Sequence, residues 1–216
     1  MLLYYISDRT QFPGNEARRR EQLLEKIAET ARAGIDFVQL REKDLPTREL
    51  EALSRQAAAK IRFPAGRSRL LINSRVDVAL AAGADGVHLR SGDISAREAR
   101  GVWHQANGPG EPIIAVSCHN RHEVLAAAAA GADYAVFGPV FEKPGAAVQV
   151  HGLELLASAC RLGIPVLALG GVTVEKAASC IRAGAHGVAG IRLFQQGNAA
   201  DVAARLRGRQ PSDRCL

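Results

Sequence analysis

Ala33-Gly34-Ile35-Asp36, Ala82-Gly83-Ala84-Asp85, Ala130-Gly131-Ala132-Asp133 and Ala183-Gly184-Ala185-His186 are four versions of one joint. In each, a helix-like stretch runs out into Ala-Gly and an extended apolar run follows. Glycine at such a point supplies the left-handed residue that ends a helix. The runs that follow are Phe37-Val38-Gln39-Leu40, Gly86-Val87-His88-Leu89, Tyr134-Ala135-Val136-Phe137 and Gly187-Val188-Ala189-Gly190, and they read as strands. Strands alternating with helices at this spacing imply a parallel sheet. Chemistry in such sheets gathers at the C-terminal strand ends.

Outward from the joints, the pattern predicts eight strands at about 2–6, 36–40, 69–73, 85–89, 112–117, 133–138, 165–169 and 186–190. A helix follows each, at about 16–32, 46–62, 75–82, 95–105, 121–130, 152–162, 174–183 and 199–207. Pro46-Thr47 and Thr173-Val174 look like helix starts. Pro165 opens a strand, where its missing N–H costs little. Eight such units in 216 residues predict an α/β fold, a (β/α)8 TIM barrel in a single domain over 1–208, with a polar tail at 209–216. The alternative is an open doubly wound sheet, but no GxGxxG follows the first strand. The longest irregular stretches are 7–15, 106–111 and 139–151; the first and third lie on the catalytic face of a barrel.

Composition narrows the function classes. Apolar residues are 47% and charged residues 23%, ordinary for a soluble globular protein. No apolar run approaches the roughly 20 residues of a membrane span. Met1-Leu2-Leu3-Tyr4-Tyr5-Ile6 reads as a first strand rather than a signal peptide. Cysteines 118, 160, 180 and 215 lack CxxC or close His spacing, so reduced cytosolic thiols are expected rather than zinc. The net charge of +6 does not imply nucleic acid, because Arg18-Arg19-Arg20 sits among Glu16, Glu21 and Glu25. It suits a protein that takes small anions.

The strand ends carry the polar residues. Strand 2 ends in Gln39-Leu40-Arg41-Glu42-Lys43, and alternation places Gln39, Arg41 and Lys43 on one side. An amide, a guanidinium and an ammonium together suit a multiply charged phosphate; an interior salt-bridge layer with Glu42 is the alternative. Asn73, at the end of strand 3, and Asp93, after strand 4, are candidate oxygen ligands for Mg2+. Asp93 equally suits a helix start. Ser117 suits an anion donor and His119 an acid–base group, and either suits a cap of the fifth helix. Gly170-Gly171 after strand 7 and Gly190-Ile191 after strand 8 let backbone N–H groups approach a phosphate. Tight-turn chemistry alone is the alternative there.

Together these stretches make the chain resemble thiamin phosphate synthase and its relative, the thiazole tautomerase, over nearly its whole length. The carriers are Val38-Gln39-Leu40-Arg41-Glu42-Lys43, Asn73-Ser74-Arg75-Val76-Asp77, Gly83-Ala84-Asp85-Gly86-Val87-His88-Leu89 with Asp93, Val116-Ser117-Cys118-His119, Phe137-Gly138-Pro139-Val140-Phe141 and Leu169-Gly170-Gly171-Val172. The synthase resemblance implies condensation of hydroxymethylpyrimidine diphosphate with thiazole phosphate, releasing diphosphate with Mg2+. It implies that Gln39, Arg41 and Lys43 hold the diphosphate, that Asn73 orients it and that Asp93 binds Mg2+. It further implies that Ser117 contacts the phosphate region, with His119 beside it. The thiazole phosphate then falls to the backbone at Gly170, Gly171, Gly190 and Ile191. Family members commonly form homodimers, and a cytoplasmic location is expected.

Two departures mark this chain. The synthase pattern has Asp directly after the Asn as a second metal ligand; here Ser74 stands there, which weakens the Mg2+ site. The synthase also carries Thr-x-Thr-Lys after the Phe of strand 6, whereas Phe141 is followed by Glu142-Lys143-Pro144. Lys143 then delivers the cation from a shifted position. The tautomerase alternative moves a proton on a thiazole carboxylate phosphate without metal and often lacks that Asp. Its pattern places a catalytic His where this chain has Pro139, and it has no need of Lys43 or Asp93. A diverged binder of thiazole phosphate is the third alternative.

Overall fold

All four joints close in the same way in the computed structural model, which describes residues 1–62, 67–142 and 151–208. Gly34, Gly83, Gly131 and Gly184 have φ of 74, 62, 78 and 102°. The next residue donates its N–H to the carbonyl five positions back: Ile35 to Thr30 (3.1 Å), Ala84 to Ala79 (2.9 Å), Ala132 to Ala127 (3.0 Å) and Ala185 to Cys180 (3.1 Å). This is the Schellman closure, which satisfies a carbonyl that the helix end leaves open. The aspartates of the first three joints then tie down the neighbouring strand. Asp36, Asp85 and Asp133 each accept a backbone N–H at 2.8 Å, from Leu3, Leu70 and Ile114. The joints thus set the bottom edge of a barrel, opposite the strand ends where chemistry is expected.

The strands are β1 (Leu2–Ile6), β2 (Phe37–Leu40), β3 (Arg69–Asn73), β4 (Gly86–Leu89), β5 (Ile113–Cys118), β6 (Tyr134–Phe137), β7 (Val166–Leu169) and β8 (Gly187–Gly190). All neighbours pair in parallel, and β8 closes on β1. The fold is therefore the TIM barrel, and the open-sheet alternative is ruled out by that closure. The helices are α1 (Glu16–Arg32), α2 (Thr47–Arg62), α3 (Val76–Ala82), α4 (Ala96–Gln105), α5 (Arg121–Ala129), α6 (Gly152–Cys160), α7 (Val174–Arg182), α8 (Arg192–Gln195) and α9 (Ala199–Leu206). The expected elements differ from these by a residue or two at their ends. The sequence reading missed α8 and a 3-10 turn at Arg9–Gln11, because both are too short to show a helical period. None of the described helices is long and apolar enough to cross a membrane. The expected tail at 209–216 lies outside the described residues.

Alternation divides the apolar side chains into two shells. Tyr4, Ile6, Phe37, Leu71, Ala115, Val136, Leu167 and Ala189 fill the barrel. Leu3, Val38, Leu40, Leu70, Ile72, Val87 and Val188 point outward against the helices. One step further along the inward rows of β2 to β5, the residues become polar: Gln39, Asn73, His88 and Ser117. That change of chemistry at one end of the barrel marks the mouth.

Candidate active site

The inward row of β2 runs Phe37, Gln39 and then Arg41. Gln39 is buried, and its Nε2 donates to Asn73 Oδ1 on β3 at 2.9 Å. Its own Oε1 is buried with no hydrogen-bond partner among the described residues. A buried orphan acceptor is rare and marks a place where a donor belongs.

Arg41 is half-buried and Lys43 is exposed. Neither pairs with a carboxylate among the described residues. Burial pushes the Arg41 guanidinium below its usual range, partly offset by Asp8 and Glu42, with Arg90 adding to the depression. The Lys43 ammonium is lowered first by the charge of Arg41, then by burial and by Arg90. Three cations thus feel one another at one rim, and such a field attracts an anion. The salt-bridge alternative for this strand end fails. Glu42 turns away, takes the hydroxyl of Ser7 and pairs with Arg9 at 3.1 Å. Ser7 Oγ in turn accepts the Arg41 N–H at 2.9 Å, which anchors the strand end.

Ser74 follows Asn73 with φ of 62°, a left-handed backbone that is uncommon outside glycine. Its Oγ accepts from Asn73 Nδ2 at 3.1 Å. Asp93 does not start α4; Ser95 does, in a capping box with Glu98. Instead Asp93 Oδ2 accepts the Arg90 N–H at 2.8 Å, and Oδ1 meets Arg90 Nη2 at 2.9 Å. Burial alone would raise the Asp93 carboxyl, but the bonds from Arg90 and Ser74 bring it below the usual carboxylate range.

On β5, Ser117 Oγ lies 2.7 Å from His88 Nε2, and His88 Nδ1 lies 2.8 Å from the Tyr4 hydroxyl. Burial, aided by the charge of Arg41, lowers His88 to about 3. The cap of α5 is Asn120, not Ser117 or His119. His119 stands exposed at the rim with Nδ1 2.6 Å from the Gly138 carbonyl. A carbonyl only accepts, so this nitrogen carries the proton.

Gly170 and Gly171 have φ of 95 and 62°. A Cβ on Gly170 would lie 2.6 Å from Pro139, and one on Gly171 would lie 2.7 Å from the carbonyl oxygens of Phe141 and Glu142. Val140 N–H and Phe141 N–H donate to Leu169 and Gly170 at 2.8 and 3.0 Å, so the segment after β6 packs on this turn. Gly190-Ile191 leads directly into α8. Gln195 holds that helix by accepting from the Tyr5 hydroxyl at 2.9 Å and donating to the Asp8 carbonyl at 2.7 Å. The N–H groups of Gly170, Gly171 and Ile191 make no hydrogen bond among the described residues. Free donors after strands 7 and 8, beside a short extra helix, are an arrangement that barrels of this type frequently use for phosphate. Lys143 lies outside the described residues.

Residues 3–194 match the family described as thiamine monophosphate synthase. The chain belongs to the thiamine monophosphate synthase family. It is 44% identical over 190 residues to a putative thiamine-phosphate synthase of Geobacter sulfurreducens, covering 87% of this chain and 83% of that one. It is 40% identical to the thiamine-phosphate synthase of Roseiflexus sp., covering 87% and 75%. Among solved structures, the thiamine phosphate pyrophosphorylase from Pyrococcus furiosus matches with a TM-score of 0.78 and 30% identity, over 96% and 94% of the two chains.

Membership in the thiamine monophosphate synthase family raises the question of Mg2+. Asp93 and Ser74 are hard oxygen donors of the type Mg2+ prefers. One carboxylate and one hydroxyl are too few to hold the ion by themselves, and no group of three metal-ligating side chains forms among the described residues. The pair fits an ion that arrives coordinated by phosphate oxygens and water. For such an ion to bind, Arg90 would have to leave Asp93, and its side chain is 58% exposed.

Sequence reasoning missed Tyr4, Arg9, His88 and Arg90. Alternation along Gly86-Val87-His88-Leu89 and along β1 carried the signal for His88 and Tyr4. Nothing local marked Arg9, whose partners Glu42 and Asp44 lie 33 and 35 residues away.

Proposed function

We propose that this chain joins hydroxymethylpyrimidine diphosphate to thiazole phosphate, giving thiamin phosphate and diphosphate. The C–O bond between the pyrimidine methylene and the diphosphate breaks, and its electron pair leaves with the diphosphate. The thiazole nitrogen lone pair then forms the new C–N bond. No proton moves in this exchange, so the work falls to charge stabilisation and positioning.

Arg41 and Lys43 hold the diphosphate and stabilise the charge that grows on it, and Arg90 reinforces their field. Ser117 adds a hydrogen bond. Lys143, in the following segment, is a further cation for the same group. Gln39 is assigned to the amino group of the pyrimidine rather than to the diphosphate, because its orphan Oε1 accepts and would repel an anion. Asn73 keeps that amide oriented. The N–H groups at Gly170, Gly171 and Ile191, with Gly190 leaving room, receive the thiazole phosphate. Asp93 and Ser74 would hold Mg2+, which supplies further neutralisation of the departing oxygens when bound. His119 lines the rim beside the incoming ligands.

The observation that carries this reading is the pair of cations at the mouth, Arg41 and Lys43, which meet no carboxylate among the described residues while Glu42 between them is turned away onto Arg9. The purified protein with both phosphorylated precursors and Mg2+ should release diphosphate; folded protein that releases none would reject the reading. Ser74 favours a second reading, isomerisation of a thiazole carboxylate phosphate. That activity would persist in EDTA, and the synthase activity would not.

A further inference from the structure

Tyr4, His88 and Ser117 form a polar thread through the apolar barrel. Tyr4 is 1% exposed and His88 2% exposed. The ring is neutral at ordinary pH, so it carries one proton, on either Nδ1 or Nε2. If Nδ1 carried it, that proton would go to the Tyr4 oxygen. The tyrosine's own O–H would then be left without an acceptor, because His88 is the hydroxyl's only hydrogen-bond partner among the described residues. An unmade bond at a buried donor is costly. With the proton on Nε2, both ring nitrogens and the tyrosine hydroxyl are satisfied. Tyr4 O–H donates to Nδ1 at 2.8 Å, and Nε2–H donates to Ser117 Oγ at 2.7 Å.

The consequence falls on Ser117. Its oxygen already accepts from the imidazole, so its own proton is left to donate. No protein acceptor takes it among the described residues, and Ser117 is half-buried at the end of β5, beside the mouth. We infer that Tyr4 and His88 act as positioning residues, locking the imidazole in one tautomer so that Ser117 is always a donor toward a ligand oxygen. The ligand atom it suits is an anionic phosphate-type oxygen, and in this respect the inference rests on the synthase reading. The thread also keeps a second positive charge out of the barrel, since a protonated ring would need an acceptor where the tyrosine donates.

The tautomer is tested on the ligand-free protein by nitrogen-15 NMR of the histidine side chains at neutral pH. The proton is expected on Nε2 of His88, and Tyr4→Phe, which takes away the donor to Nδ1, should raise the Nδ1-protonated fraction above that of the unaltered protein. Finding Nδ1–H in the unaltered protein would overturn the inference. The consequence is tested by calorimetric binding of inorganic diphosphate. Ser117→Ala should weaken binding roughly tenfold. Tyr4→Phe should weaken it severalfold, and the double variant should bind no worse than Ser117→Ala alone. Losses that simply multiply would also overturn it. If the unaltered protein fails to bind diphosphate, the synthase reading falls, while the NMR result still decides the tautomer.

Discussion

Glu42 lies between Arg41 and Lys43 in the chain, yet it gives its carboxylate to Arg9, whose Nη1 sits 3.1 Å from Glu42 Oε2. The Arg9 side chain is 4% exposed and that of Glu42 1%. Arg9 also takes Asp44 at 2.7 Å and Glu16 at 2.8 Å, so one guanidinium ties the β1 loop to the β2 loop and to α1. The same contact leaves the two flanking cations without a carboxylate partner among the described residues.

Removing one partner of this buried pair strands a charge. Arg9→Met is expected to cost about 3–5 kcal/mol of stability. It should also weaken diphosphate binding, because Glu42 becomes free to neutralise Arg41 or Lys43. Adding Glu42→Gln should recover a large part of both losses. Urea unfolding and diphosphate titration of the single and double variants check this; a double variant as unstable as Arg9→Met would contradict it.

The two phosphate positions should separate by mutation. Arg41→Ala should raise the KM for the pyrimidine diphosphate well above tenfold and leave that for thiazole phosphate little changed. Gly171→Ala should do the opposite, since its left-handed backbone disfavours a side chain and a Cβ meets Phe141. Steady-state kinetics with each substrate varied in turn distinguishes the two, and equal effects on both substrates would refute the division.

Metal dependence should respond to the groups around Asp93. Arg90→Ala removes the competing guanidinium, and Ser74→Asp adds a carboxylate at a backbone position that Asp tolerates better than most residues. Each is expected to lower the Mg2+ concentration for half-saturation, Ser74→Asp by roughly tenfold. Titrating Mg2+ into protein saturated with inorganic diphosphate measures this. No change in either variant would remove Asp93 as a ligand.

Acidification should expose the cost of keeping His88 neutral. The folded ring titrates at about 3, against an ordinary value of 6.5. Between those values the unfolded chain binds a proton that the folded ring refuses, so stability falls as pH drops through that window and is fully present above it. The urea midpoint should therefore decline from about pH 6.5 downward, and His88→Gln should flatten that decline. Glu16 and Asp44, both held low chiefly by Arg9, add a further loss below their own ordinary values.

The barrel was legible because its signals are local. Four Ala-Gly joints, strand alternation and amphipathic helices each lie within a few residues of chain, and the eightfold count followed from them. Gln39, Arg41, Asn73, Asp93 and Ser117 were legible as polar residues at strand ends for the same reason. Their partners were not. Alternation puts Gln39 on the inward face, but not its amide against Asn73 or its oxygen without a donor.

The chain by itself determined the element order, the faces and the residue types at the mouth, since these depend on backbone sterics and on periods of 2.0 and 3.6 residues. Only closure of the ring decided which charges remain free. Arg9 meets Glu42 across 33 positions, and Tyr4 reaches His88 across 84. Hydrogen bonding and Coulomb attraction act through space at a few ångströms, so a linear order of residues does not record which groups will satisfy one another.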